Sequence, residues 1–122
     1  MNLAQMVVRI AGLVMILFGA LIWTGDFAGL VPIHMLVGIV LVLALWSLAY
    51  QAFRAGVSRG LVALAVVVGL ALPVFGVNQQ QILPAEGHIV VQLAHLALGL
   101  VAIGLGEALA VGTRKAATGA AR

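Results

Sequence analysis

The sequence predicts an all-α integral membrane protein, a single bundle of four helices connected up-down-up-down. Hydrophobic residues make up 65% of the 122 residues and charged residues only 7%, whereas about a quarter of the residues of soluble proteins are charged. Four apolar runs reach the roughly 18 residues with which a helix spans a membrane. None of them shows the alternation of a transmembrane β-strand. Residues 1–122 are therefore predicted to form one transmembrane domain.

Each apolar run ends at a polar or charged linker, which sets the expected helix boundaries. The linkers read TGDFAG, RAGVSRG and NQQQILPAE. The helices are expected at about residues 6–24, 28–53, 58–77 and 86–111. A cleavable signal peptide is a competing interpretation of the first run. Because no A-x-A cleavage site follows that run, we expect a retained helix.

The charged residues divide between the two ends of the predicted bundle. The six basic residues flank one end, and the linkers that contain Asp26 and Glu86 lie at the other. The basic residues are Arg9, Arg54, Arg59, Arg114, Lys115 and Arg122. The positive-inside rule then predicts a multi-pass protein of the inner (cytoplasmic) membrane with both termini in the cytoplasm. Since no basic patch contains interleaved aromatic residues, the expected partner is the lipid bilayer with its anionic headgroups, not nucleic acid.

The two halves of the chain resemble each other. A basic residue and a glycine recur ten residues apart in Arg9–Gly19 and Arg59–Gly69, and His34–Gly38 matches His95–Gly99. Both halves begin and end on the same sides, so a true repeat would be a parallel internal duplication about an axis along the membrane normal. Chance similarity between apolar segments of low diversity is the alternative.

Two histidines stand inside apolar runs, in the segments VPIHMLVG and QLAHLALG. Ionisable residues within a membrane span are costly and are functional candidates. His34 follows Asp26 by eight residues. His95 follows Glu86 by nine, so both imidazoles are expected roughly 12–14 Å below the acidic linkers at 1.5 Å per residue. Helices 2 and 4 occupy diagonal corners of an up-down-up-down bundle, which allows the two rings to face each other across its axis.

Two facing imidazoles at one depth are the ligand pair of a low-spin, bis-histidine haem. We therefore expect one haem b per chain in the outer half of the bilayer, with His34 and His95 as the iron ligands. A haem also needs flat space beside its ligands, which glycines provide on the same helix faces. The glycines expected to flank the macrocycle are Gly38 and Gly99, one turn beyond the histidines, and Gly19 and Gly69 on helices 1 and 3.

The predicted bundle, the histidine placement and the glycines together resemble the four-helix membrane b-type cytochromes. Examples are the cytochrome b561 class and the haem-bearing anchors of respiratory enzymes. The resemblance is architectural, and it implies single-electron transfer between a membrane quinol or a partner subunit and an acceptor at the outer face. The b561 class carries two haems on opposite sides of the membrane. Because this chain has no histidine in the inner leaflet, we expect one haem and no complete electron path across the bilayer.

Two polar residues precede His95 on the same face of helix 4. His88 lies two turns away, roughly 10 Å nearer the outer surface, where it fits a haem propionate, a quinol headgroup or an ordinary interfacial position. It is also the substitute iron ligand. Gln92 lies one turn from His95 and fits a hydrogen bond to an imidazole or a propionate, or a contact between helices. The outer side contains no Arg or Lys, so Trp23, Thr24, Asn78, Gln79 and backbone amides are left for the propionates.

Three other interpretations remain open. Each histidine can simply hydrogen-bond a neighbouring helix, worth roughly 0.6–2 kcal/mol, in a structural accessory subunit. A zinc or copper site is a second possibility, but a closed set of four zinc ligands is missing and the chain has no cysteine. A small transporter of the small multidrug resistance type is a third, although helix 1 lacks the embedded acid of that family. Glu107 fits a proton relay or an ion pair with a cytoplasmic Arg, and Trp46 fits packing better than electron relay.

Bis-histidine ligation leaves no open iron position, so substrate chemistry at the metal is not expected. The chain is expected to be an electron carrier, or a subunit of a larger oxidoreductase complex, and not an enzyme by itself.

Overall fold

The fold is given by a computed structural model that describes residues 1–83 and 85–120. It contains four α-helices, and within the described residues it has no β-strand. The helices are α1 (Leu3–Trp23), α2 (Val31–Arg54), α3 (Arg59–Ile82) and α4 (His88–Ala120). Short 3₁₀ turns, Ala28–Leu30 and Ala85–Gly87, lead into α2 and α4. All four helices are long and apolar enough to cross a membrane, as is typical of a multi-pass membrane protein.

Local sequence signals set several helix boundaries. The side chain of Asn2 caps α1 by accepting a hydrogen bond from the backbone N–H of Gln5 at 2.9 Å, which satisfies one of the free amides of the first turn. Pro32 lies in the first turn of α2, where its missing N–H is not needed. Gly56 has a φ of 77° in the turn after α2, a conformation that glycine adopts without a steric penalty.

Two helices extend well beyond their predicted ends. The helix predicted at 58–77 continues to Ile82, and the one predicted at 86–111 continues to Ala120. The prediction placed the ends where the apolar run stops, whereas the backbone hydrogen-bond ladder continues through Asn78–Gln81 and through the polar C-terminal segment. Glutamine, lysine, arginine and alanine are good helix formers, so loss of hydrophobicity does not end these helices.

The helices follow one another around the bundle. Helix α1 contacts α2 and α4, and α3 also contacts α2 and α4. Over the described residues α1 and α3 do not touch, whereas α2 and α4 are in direct contact. Helices α2 and α4 therefore face each other across the bundle axis. This is the arrangement in which His34 of α2 and His95 of α4 can meet.

The hydrophobic core lies mostly in one half of the bundle. We call the end with Arg54, Arg59 and Arg114 the basic end, and the end with Asp26 and Glu86 the acidic end. The core cluster extends from the basic end to just past the midpoints of α2 and α3, and consists of Val8, Ala11, Leu41, Val42, Ala44, Leu45, Leu48, Ala49, Ala52, Ala65, Val68, Leu72, Ala102, Leu105, Leu109 and Ala110. Among the described residues closer to the acidic end than this cluster, Val91 alone is a buried side chain. The acidic half is therefore held together by little side-chain packing.

A polar network joins α1 to α4 near the basic end. The carboxylate of Glu107 accepts hydrogen bonds from Nε and Nη2 of Arg9 at 2.6 and 2.7 Å and from Nε2 of Gln5 at 2.9 Å. Oε1 of Gln5 accepts one from Nη1 of Arg114 at 2.7 Å. Of the two roles that the sequence left for Glu107, the structure shows the ion pair, and its partner is Arg9 of the first helix.

Gln5 is only 1% exposed, so its replacement tests this network. Gln5→Leu removes the amide that joins Glu107 to Arg114, and we expect the free energy of unfolding to fall by about 1–3 kcal/mol. Gln80→Leu is the matched control on an exposed face of α3, with an expected change within about 0.5 kcal/mol. Unfolding of the purified protein in detergent measures both, and equal stability of the two variants would contradict a role for the network in joining α1 to α4.

Candidate cofactor site between two histidines

The structure brings His34 and His95 together. His34 lies in the first turn of α2 and His95 in the second turn of α4. Their ring centroids are 6.4 Å apart, and the ring planes are inclined by 53°. The two imidazoles thus lie side by side between helices that face each other across the bundle axis, in the half of the bundle that has little core packing.

Both rings carry a buried nitrogen without a partner. Nδ1 of His34 and Nδ1 of His95 are inaccessible and make no hydrogen bond with the described residues. Buried polar atoms are almost always hydrogen-bonded, and an exception often marks a missing water or ion. If these histidines served only to hydrogen-bond a neighbouring helix, each ring would have a protein partner. Neither Nδ1 has one among the described residues.

A glycine on the neighbouring helix lies against each imidazole. A Cβ on Gly19 of α1 would lie 3.6 Å from Cε1 of His34, and a Cβ on Gly76 of α3 would lie 3.1 Å from Cε1 of His95. Each helical hairpin therefore supplies one histidine together with one glycine that leaves space beside it. Gly19 is a predicted site residue, whereas Gly76 is not.

The other predicted glycines are not in contact with an imidazole. Gly38 lies against Met15, whose Cε would be 3.1 Å from a Cβ at that position. Gly99 has open space where a Cβ would be, which is compatible with the predicted slot.

Gly69 is a correction to the sequence-based expectation. Its Cβ position is filled by the indole of Trp46, which donates from Nε1 to the carbonyl oxygen of Val66 at 3.3 Å. Gly69 therefore serves the packing of Trp46 in the core half of the bundle, and the structure does not bring it to the histidines. The expected packing role of Trp46 agrees with this contact.

The choice of Gly69 over Gly76 follows from where the two halves were aligned. Alignment on Arg9 and Arg59, at the basic end, pairs Gly19 with Gly69. The hairpin distances show why this fails: fifteen residues separate Gly19 from His34, but nineteen separate Gly76 from His95. This stretch of the second hairpin is longer by about one helical turn, and the residue fifteen positions before His95 is Gln80, so alignment from the acidic end does not identify Gly76 either.

Phe75 is a second residue that the sequence did not reveal. Its ring is parallel to that of His95 within 6°, with the centroids 6.0 Å apart. This offset stacking is a favourable aromatic arrangement, and it restricts the orientation of the His95 ring. Nothing in the local sequence distinguishes Phe75 from an ordinary apolar residue of α3.

His88 and Gln92 lie on the same side of α4 as His95. His88 is the first residue of the helix, and all three side chains are half-buried, whereas Ile89, Val90 and Leu93 are exposed. Positions four and seven residues apart share a helix face. These two residues thus continue the site from His95 toward the acidic end.

The ligand set limits what the site can bind. Within the described residues no group of three or more His, Cys, Asp or Glu side chains is placed to hold a metal ion. A bare zinc or copper ion would need three or four protein ligands. A metal that arrives in a macrocycle with four ligands of its own needs only two. With metal–nitrogen bonds of about 2.0–2.1 Å, two imidazoles on opposite sides of one ion have centroids roughly 6–6.5 Å apart, which matches the spacing of His34 and His95.

Comparisons of the chain with protein-family models, with curated proteins and with solved structures gave no match.

Proposed function

We propose that the chain is a membrane b-type cytochrome that holds one haem b between His34 and His95 and carries single electrons. The observation that supports the proposal best is the pair of imidazoles 6.4 Å apart, each with a buried Nδ1 that lacks a partner. Gly19 and Gly76 leave space beside the rings, and the surrounding half of the bundle has little packed core to displace.

The residues of the chain act by holding and insulating the cofactor. When bound, the haem supplies an iron that accepts and releases one electron. His34 and His95 would hold the haem through their imidazoles, and a haem held by two imidazoles would supply electron transfer and not substrate chemistry. Phe75 restricts the His95 ring, and the apolar residues of the acidic half exclude water, which disfavours additional charge on the iron.

The charge distribution orients the proposed cytochrome in the membrane. With the basic end in the cytoplasm, the histidines lie in the outer half of the inner membrane. Electrons would therefore enter and leave on the outer side, from a membrane quinol and to a redox partner or a larger complex. His88 and Gln92 provide polar groups between the haem and this surface, where the propionates would lie.

The visible spectrum of the purified protein tests this proposal. We expect a Soret band and, after dithionite reduction, sharp α and β bands of a low-spin haem at about one haem per chain. Protein purified without haem should give the same spectrum after addition of haemin. A protein that stays colourless with added haemin would contradict the proposal and would favour a structural accessory subunit.

A further inference from the structure

A shallow and largely open groove runs over the surface of the bundle between α1 and α2. It consists of two adjoining cavities of about 490 and 260 Å³ that share Val7 and Val40 in their walls. The first cavity reaches Asn2, Ser47 and Gln51 near the basic end, and the second reaches Val14 and Val37. We call the two together the α1/α2 groove. Several residues of its walls have small side chains, namely Ala4, Ala11 and Ala44, and this leaves space between the two helices.

The groove has the length of one membrane leaflet. Its lining extends from Asn2 to Val14 along α1 and from Gln51 to Val37 along α2, which corresponds to roughly 18–21 Å along a helix. A bilayer is about 40–45 Å thick with its headgroup regions, so a groove of this length that begins among the headgroups would end near the midplane. Its inner end at Val37 is one turn from His34.

Polar groups are confined to the end of the groove that lies at the membrane surface. Nδ2 of Asn2 donates to Oε1 of Gln51 at 2.8 Å, and Nε2 of Gln51 donates to Oγ of Ser47 at 3.2 Å. The remaining lining is Val, Leu, Ile and Ala. This is the polarity of an amphiphile with its head at the surface and its chain toward the midplane.

The charges near this end favour an anionic head. Arg54 lies in the last turn of α2, three residues beyond Gln51, and is exposed. Glu107, the acid in the same half of the bundle, is held by Arg9 at the contact between α1 and α4. Asp26 and Glu86 lie at the opposite end. The mouth of the groove therefore presents a positive charge and amide donors.

We infer that the α1/α2 groove binds one acyl chain of an anionic phospholipid from the leaflet at the basic end, with its phosphate near Arg54 and Gln51. The site is distinct from the histidine pair, and the inference does not depend on the proposed haem. The acyl chain would cover the side of the bundle just below His34 and would fill a surface that α1 and α2 leave open.

Photolabelling of the full chain in nanodiscs tests the inference. The discs contain phosphatidylcholine and a small fraction of phosphatidylglycerol that carries a diazirine in its acyl chain, and labelled residues are mapped by mass spectrometry. We expect labels on Val7 and Val40 several-fold above those on Val66, a residue of α3 with the same exposure as Val40 (44% and 43%). A diazirine on phosphatidylcholine should label the groove more weakly.

Three variants sharpen this test. Val40→Trp fills the groove from an exposed position and should reduce its labelling at least fivefold, whereas Val66→Trp should leave it unchanged. Arg54→Gln should remove the preference for phosphatidylglycerol. Uniform labelling around the bundle, or no effect of Val40→Trp, would overturn the inference. Cross-links between two copies through α1 and α2, or displacement of the label by an isoprenoid quinone but not by phosphatidylglycerol, would overturn it in favour of those occupants.

Discussion

Replacement of either His34 or His95 by alanine is expected to abolish low-spin haem binding. In the proposed site each imidazole would supply one of two protein ligands, and among the described residues no third group converges on the pair. Loss of a mere supporting contact to a metal ligand already costs about 10- to 100-fold in affinity, so loss of a ligand should exceed that. Absorption spectra and the haem content per chain measure the effect, with circular dichroism to confirm that the helices remain.

His88→Ala is the matched control for these variants. It removes an imidazole from the same face of α4, two turns from His95, and we expect the sharp reduced bands to persist. Added imidazole should restore the low-spin spectrum of His95→Ala by filling the vacated position. If His88→Ala loses the spectrum and His34→Ala or His95→Ala keeps it, the ligand pair proposed here is wrong.

Gly76→Leu is expected to have the next largest effect. A Cβ at Gly76 already comes within 3.1 Å of Cε1 of His95, so the rest of a leucine side chain must displace the imidazole or occupy the space beside it. Overpacking of this kind costs about 1–3 kcal/mol, which corresponds to a loss of roughly 5- to 150-fold in haem affinity. Titration of the haem-free protein with haemin measures the affinity.

The glycines of the bundle provide a graded series around this variant. Gly19→Ala should be tolerated better than Gly76→Ala, because its Cβ would be at an ordinary contact distance of 3.6 Å from His34. Gly104→Leu is the control, since that position of α4 is exposed and has open space. Equal haem affinity of Gly76→Leu and Gly104→Leu would show that Gly76 does not border the bound cofactor.

The sequence predicted the parts of this structure that depend on position along the chain. The four apolar runs and the segregation of basic and acidic linkers can be read directly from the sequence. The similar depths expected for His34 and His95 follow from counting residues at 1.5 Å each. Counting correctly predicted the two histidines as neighbours, because α2 and α4 run in the same direction and each histidine follows the acidic residue of its linker by eight or nine residues.

The neighbours of each side chain depend instead on how each helix is rotated about its axis and on the exact length of each hairpin. Gly76, which lies seven residues or about two helical turns beyond Gly69, is the glycine beside His95, and Gly69 provides the space for Trp46. Helix rotation and hairpin length also decide the stacking of Phe75 on His95 and the pairing of Arg9 with Glu107. They likewise decide the shape of the α1/α2 groove. The number of long apolar helices, their division into basic and acidic ends and the similar spacing of the two histidines from the acidic linkers were thus determined by the sequence alone. The surroundings of the two imidazoles were decided only by the tertiary structure, because one helical turn shifts every contact between helices while leaving the hydrophobic pattern unchanged.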